Sequence, residues 1–168
     1  MNDRIVDGDL HIDNITNHTT GTFQSRTGSV IIDQKIDDHS KVRVIAAKDV
    51  KIGQKIDQHS QAEITAGGSV SIGQKIDQHS VGLIRAERGN VDIGQKIDQH
   101  SWARISAPNG NLKIGQGVDQ HSHLHYQPKS STIPTIDKRL DGGRRYDCWV
   151  GPARVWPRLL TRREVDRA

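Results

Sequence analysis

An aspartate and a histidine two residues apart, Asp57 and His59, recur as Asp77 and His79 and again as Asp98 and His100. Asp37 and His39 come before them, and Asp119 and His121 after. A carboxylate beside an imidazole offers oxygen and nitrogen donors, the set favoured by zinc and other divalent transition metals of the first row. The same groups can act as a general base. However, many equal copies argue against one catalytic centre. The chain is therefore expected not to be an enzyme. Metal binding requires ligands that converge at about 2 Å from one ion, whereas pairs carried on parallel strands lie side by side. The chemistry thus depends on the elements that hold these pairs.

Those elements are repeats. IGQKIDQHS occupies Ile52 to Ser60, Ile72 to Ser80 and Ile93 to Ser101, with the variants IDQKIDDHS from Ile32 and IGQGVDQHS from Ile114. A worn copy, IDNITNHT, starts at Ile12. Successive copies from Ile32 onward are 20 or 21 residues apart, and about six of them fill residues 10–128. Helical-hairpin repeats need more than about thirty residues, so this period fits the coil of a β-solenoid. The chain is 33% hydrophobic and 4% aromatic, which is thin for a globular core. A solenoid tolerates this because each coil buries its inner residues against the next. The expected fold is all-β: a single parallel β-solenoid (β-helix) of about six 20–21-residue coils, right-handed, with a non-repetitive basic tail.

Alternation of side chains along a strand then divides each coil. From Val50, one set of alternate residues is apolar, amide or small; the other is charged, polar or glycine. Strict alternation turns Ile52, Ile72, Ile93 and Ile114 inward. It places Gln54, Gln74, Gln95 and Gln116 inward too, and likewise Gln58, Gln78, Gln99 and Gln120. Stacked amides can satisfy one another up a column. A corner at Gly53 would reset the alternation and turn Gln54 outward. The Asp, His and Lys columns are expected to face solvent, so that Lys75 should tolerate truncation better than Gln74. The 21-residue coils place their extra residue in turns, AERGNV and APNGNL against AAKDV and AGGSV, where Gly, Asn and Pro are at home.

The stretch GGSVSIGQKI, a glycine turn followed by alternating Val and Ile, resembles the repeats of filamentous-haemagglutinin-type β-solenoids. The size, the six coils and the lack of a recognisable secretion signal resemble bactofilins, bacterial cytoskeletal proteins that polymerise through a β-helix. The likeness covers about residues 10–128. It implies a structural, self-assembling role and carries over no site residues. The chain departs from both families: haemagglutinins carry a long signal peptide, and bactofilin coils are shorter.

Residues 1–128 are expected to form the repeat domain, and 129–168 a Trp- and Arg-containing tail that caps the last coil or stays partly disordered. The tail holds ten Lys and Arg against five Asp and Glu. Subtracting that net +5 from the chain's +4 leaves −1 for the repeats. A basic tail suits an acidic partner, and a helix over about 157–165 is expected within it. Pro128, lacking a donor, should interrupt the ladder. Cys148 is the single cysteine, consistent with a cytoplasmic chain. No apolar run reaches the roughly 18 residues of a membrane span. The expected function is a structural or scaffolding solenoid that self-associates through its end coils, without cofactor. The alternative is a binding module whose outward Asp-x-His ladder takes a divalent transition metal or a polyanionic partner.

Overall fold

The structure, a computed structural model, describes residues 2–118, 121–128, 135–136 and 147–150. Asp119, Gln120, Trp156 and the helix expected over 157–165 lie outside the described residues. Each coil has three sides. The longest carries β1 (Arg4–Val6), β3 (Thr20–Ser25), β5 (Lys41–Ala46), β7 (Gln61–Ala66), β9 (Val81–Ala86), β12 (Trp102–Ala107), β15 (His123–Pro128) and β17 (Asp147–Val150), stacked in that order. The second stacks β2 (Leu10–Ile12), β4 (Val30–Ile32), β6 (Val50–Ile52), β8 (Val70–Ile72), β10 (Val91–Ile93), β13 (Leu112–Ile114) and β16 (Thr135–Ile136). The third is narrow. Single bridges join Ile15, Ile36, Ile56, Ile76 and Ile97, and β11 (Lys96–Ile97) pairs with β14 (Gly117–Val118). Every pairing is parallel, so the molecule is an all-β solenoid of about six turns.

Register never slips, although coil length does. Val50 pairs with Val70 and Val70 with Val91. Ala66 still meets Ala86 across a 20-residue step, so the added residue falls in the turn after β9, as the sequence implies. A slip of one would turn every apolar side chain to solvent, and turns absorb length where strands cannot. The core is accordingly a set of columns. Ile52, Ile72, Ile93 and Ile114 are buried, as are Ile56, Ile76, Ile97 and Val118. Phe23 closes the column of Val44, Ile64, Ile84 and Ile105 near the N-terminal end.

Alternation holds within strands and fails at the corners. After β6 the chain turns at Gly53, where a Cβ would collide with the carbonyl oxygen of Asp33 in the coil before. Gln54, Gln74 and Gln95 are half-buried at this corner, and Gln116 is exposed. They are not an inward amide column. Their backbones carry the ladder instead, Gln74 N–H donating to Gln54 O and Gln95 N–H to Gln74 O, each at 2.7 Å. Gln58 is exposed, and Gln78 and Gln99 are half-buried, so the second expected amide column is also absent from the core. The Asp column expected outside is inside: Asp57, Asp77 and Asp98 are each at most 1% exposed. The chain also does not leave the ladder at Pro128. That residue pairs with Ala107, and two tail strands add further pairings: β16 on β13 and β17 on β15. Among the described residues no helix is long and apolar enough to cross a membrane.

A stacked histidine row at the corner of each coil

The corner Asp57 to Ser60 sets the candidate site. Gln58 and His59 have φ of 50° and 59°, and the Ser60 N–H donates to Asp57 O at 3.2 Å. Two positive φ values in succession are the mark of a type I′ turn, which usually employs Asn-Gly. The same conformation recurs at Asp38 and His39, Gln78 and His79, and Gln99 and His100. Three interactions hold it. The Asp57 carboxylate accepts the Gln58 N–H at 2.8 Å and pairs with Lys55 Nζ. Asp77 does the same with Gln78 and Lys75, and Asp98 with Gln99 and with Lys96 at 2.7 Å. The buried Ser60 Oγ accepts the Ser40 N–H at 3.2 Å, and Ser80, Ser101 and Ser122 repeat this bond up the stack.

Each of these groups has a structural task. A buried carboxylate must be paired and hydrogen-bonded, and lysine and the turn amide supply both. In the second coil the hydrogen bond that Lys35 donates to Asp37 holds its ammonium above the ordinary pKa, against the opposing effect of burial. The serine hydroxyls are buried and accept backbone N–H groups of the coil before. The Asp-x-His pairs proposed as metal ligands therefore do not converge. Asp57 points into the coil toward Lys55, and His59 points to solvent; Asp77 with His79 and Asp98 with His100 are divided in the same way.

What does come together is the histidine row itself. Rings of His18, His39, His59, His79 and His100 stack with centroids 5.0–5.2 Å apart and planes within 5° of parallel. His121 continues the row at 5.2 Å but is tilted by 36°. The spacing is set by the backbone, since the His59 N–H donates to Gln78 O at 2.9 Å and His18, His39 and His79 make the same bond to the next coil, with neighbouring strands about 4.8 Å apart.

The row changes character at one point. Asp38 stands where later coils have Gln58, Gln78 and Gln99. Its carboxylate lies near an edge nitrogen of both rings, with Oδ2 3.9 Å from His18 Nδ1 and Oδ1 3.7 Å from His39 Nδ1. Strict alternation hides this group, because it turns the equivalent Gln58, Gln78 and Gln99 inward. The visible signal was the one-letter change from DQHS to DDHS.

A second surface lies on the outside of the long sheet. Trp102 packs against His125, with centroids 4.8 Å apart, and Arg104 approaches its ring at 6.0 Å. Further toward the N-terminus, Thr20, Thr22, Lys41, Arg43, Gln61 and Glu63 line a shallow depression, across which Arg43 and Glu63 pair at 3.2 Å. These charges are of mixed sign, and Arg43 and Glu63 neutralise each other. No protein-family model, curated protein or solved structure matches the chain.

Proposed function

We propose that the chain is a non-catalytic structural rod of the cytoplasm that pairs with a second copy through its N-terminal end coil. The observation that carries this is the invariant register of the stack. Every coil presents the next with the same backbone donors and acceptors, so the outer edge of the first coil is a template for another chain. That edge consists of β1 and β2, and neither has a partner on its outer side among the described residues. Open edges of this kind invite pairing, and Ile5, 49% exposed, adds apolar surface there. The other end carries β16 and β17 over the last repeat. The expected assembly is therefore a dimer joined at its N-terminal edges and not an open filament. Light scattering and negative-stain microscopy of the intact chain test this. A concentration-dependent dimer is expected. Placing lysine on the edge with Ile5→Lys and Val6→Lys together should return it to monomer, while circular dichroism keeps its β signature. A wild-type chain that stays monomeric at high concentration would overturn the proposal.

A further inference from the structure

We infer that His18, Asp38 and His39 form a binding site for one divalent transition metal ion of the zinc class, which ties the first coil to the second. The three side chains each offer one ligand atom, and these atoms all lie within 4.8 Å of one another. Two imidazoles and a carboxylate are a borderline donor set that suits Zn, Co, Ni or Cu rather than Ca or Mg. Bonds of 2.0–2.2 Å in a tetrahedral shell place neighbouring ligand atoms about 3.3 Å apart. Asp38 Oδ1 and Oδ2 lie 3.7 and 3.9 Å from the Nδ1 atoms of His39 and His18, and the three ligand atoms, all within 4.8 Å of one another, need to close by up to about 1.5 Å to meet this. The rings can make that movement, since the side chains of His18 and His39 are 72% and 55% exposed. Solvent would complete the shell.

The backbone is already arranged for it. His18 N–H donates to Asp38 O at 2.9 Å, which fixes the two coils against each other at the site. The Asn17 N–H donates to Asp38 Oδ2 at 3.1 Å and so orients the carboxylate, the kind of outer support that ligands of bound metals have. The remainder of the row is an internal control. His59 and His79 stack as closely as His18 and His39 do, but a neutral Gln replaces the carboxylate between them. If stacked imidazoles alone held metal, the whole row would bind. If the carboxylate decides, only the first step of the row binds. The inference is independent of whether the rod dimerises.

The test is calorimetric titration of Zn(II) into the intact chain at neutral pH, with Co(II) absorption reporting the coordination shell. One ion per chain is expected. Asp38→Gln installs the residue that four later coils carry at this place, so the fold should persist; His18→Gln alters an exposed ring. Each should weaken binding at least tenfold, and His79→Gln should leave it unchanged. Zinc should raise the melting temperature of the wild type and of His79→Gln, but not of Asp38→Gln. Absence of saturable binding would overturn the site. So would equal affinity in Asp38→Gln, or an equal loss in His79→Gln, which would move the metal onto the histidine row at large. Should Asp38→Gln fail to fold, Asp38→Asn provides the same comparison with a side chain of equal size.

Discussion

At the scale of single residues, the pair formed by Lys75 and Asp77 bears more weight than any amide in the repeat. The carboxylate is buried, and the lysine side chain that neutralises it is 23% exposed. Removing one partner of a buried ion pair costs about 3–5 kcal/mol because the other is left uncompensated. Lys75→Ala should fall near the lower end, since the turn amide of Gln78 still donates to Asp77. Gln74→Leu changes a half-buried corner and should stay within about 0.5 kcal/mol, as surface substitutions generally do. Urea titration of both variants checks the order, which is the reverse of what strict alternation implies; an equal loss would return the weight to the amide. Titration at high pH provides a second check. Lys35 is held above its ordinary value of 10.5 by its hydrogen bond to Asp37, and Tyr126 above 10.0 by burial. Below about pH 10 the folded and unfolded chains both keep these protons, and their contribution is fully present. Above it the unfolded chain releases them first, so stability should fall as pH rises toward the raised folded values. Tyr126→Phe should make that fall shallower. A stability profile that stays level from pH 8 to 12 would contradict this.

At the scale of the element, the corner is where local and global preferences conflict. Residues other than glycine at positive φ cost about 1–2 kcal/mol each, and Gln58 with His59, Gln78 with His79, and Gln99 with His100 all adopt it. Asn-Gly would fit the turn with less strain. Gln78→Asn combined with His79→Gly should therefore hold stability level or raise it by up to about 1 kcal/mol, despite removing one ring from the stack. A thermal melt that drops markedly would show that ring stacking stabilises the corner. A neutral or positive result would mean that the histidines are kept for what they present to solvent. The opposite corner shows the more usual economy. Asp49 Oδ1 accepts the Ser69 N–H at 2.7 Å, and Asn90 Oδ1 accepts the Asn111 N–H at 2.9 Å. Short polar side chains there satisfy the amide of the next coil. These corners also explain what the sequence could and could not reveal. Ile52 and Ile56 were legible because strands alternate. Asp57 and Gln58 were not, because two successive left-handed residues rotate the chain between strands, and a rule of period two does not extend through them.

At the scale of the whole molecule, the number of coils and their register could be read from the spacing of one phrase. The tail could not, because β16 and β17 contain no copy of it. Backbone pairing needs donors and acceptors in line and no particular side chains, so Thr135 can join Lys113 and Asp147 can join His123 without a motif. These strands occupy the edges of β13 and β15, which would otherwise be as open as those of β1 and β2. Deleting residues 129–168 should bare the C-terminal edge. Each molecule would then have two unguarded ends of nearly matching register. Pairing through one end gives a closed dimer, whereas pairing through both propagates. The shortened chain should therefore form filaments under conditions where the intact chain stops at two copies. Light scattering and microscopy of both at equal concentration distinguish the outcomes. Filaments from the intact chain would show that β16 and β17 do not block growth. Monomers from both would remove self-association as a function and leave the histidine row as the feature to explain.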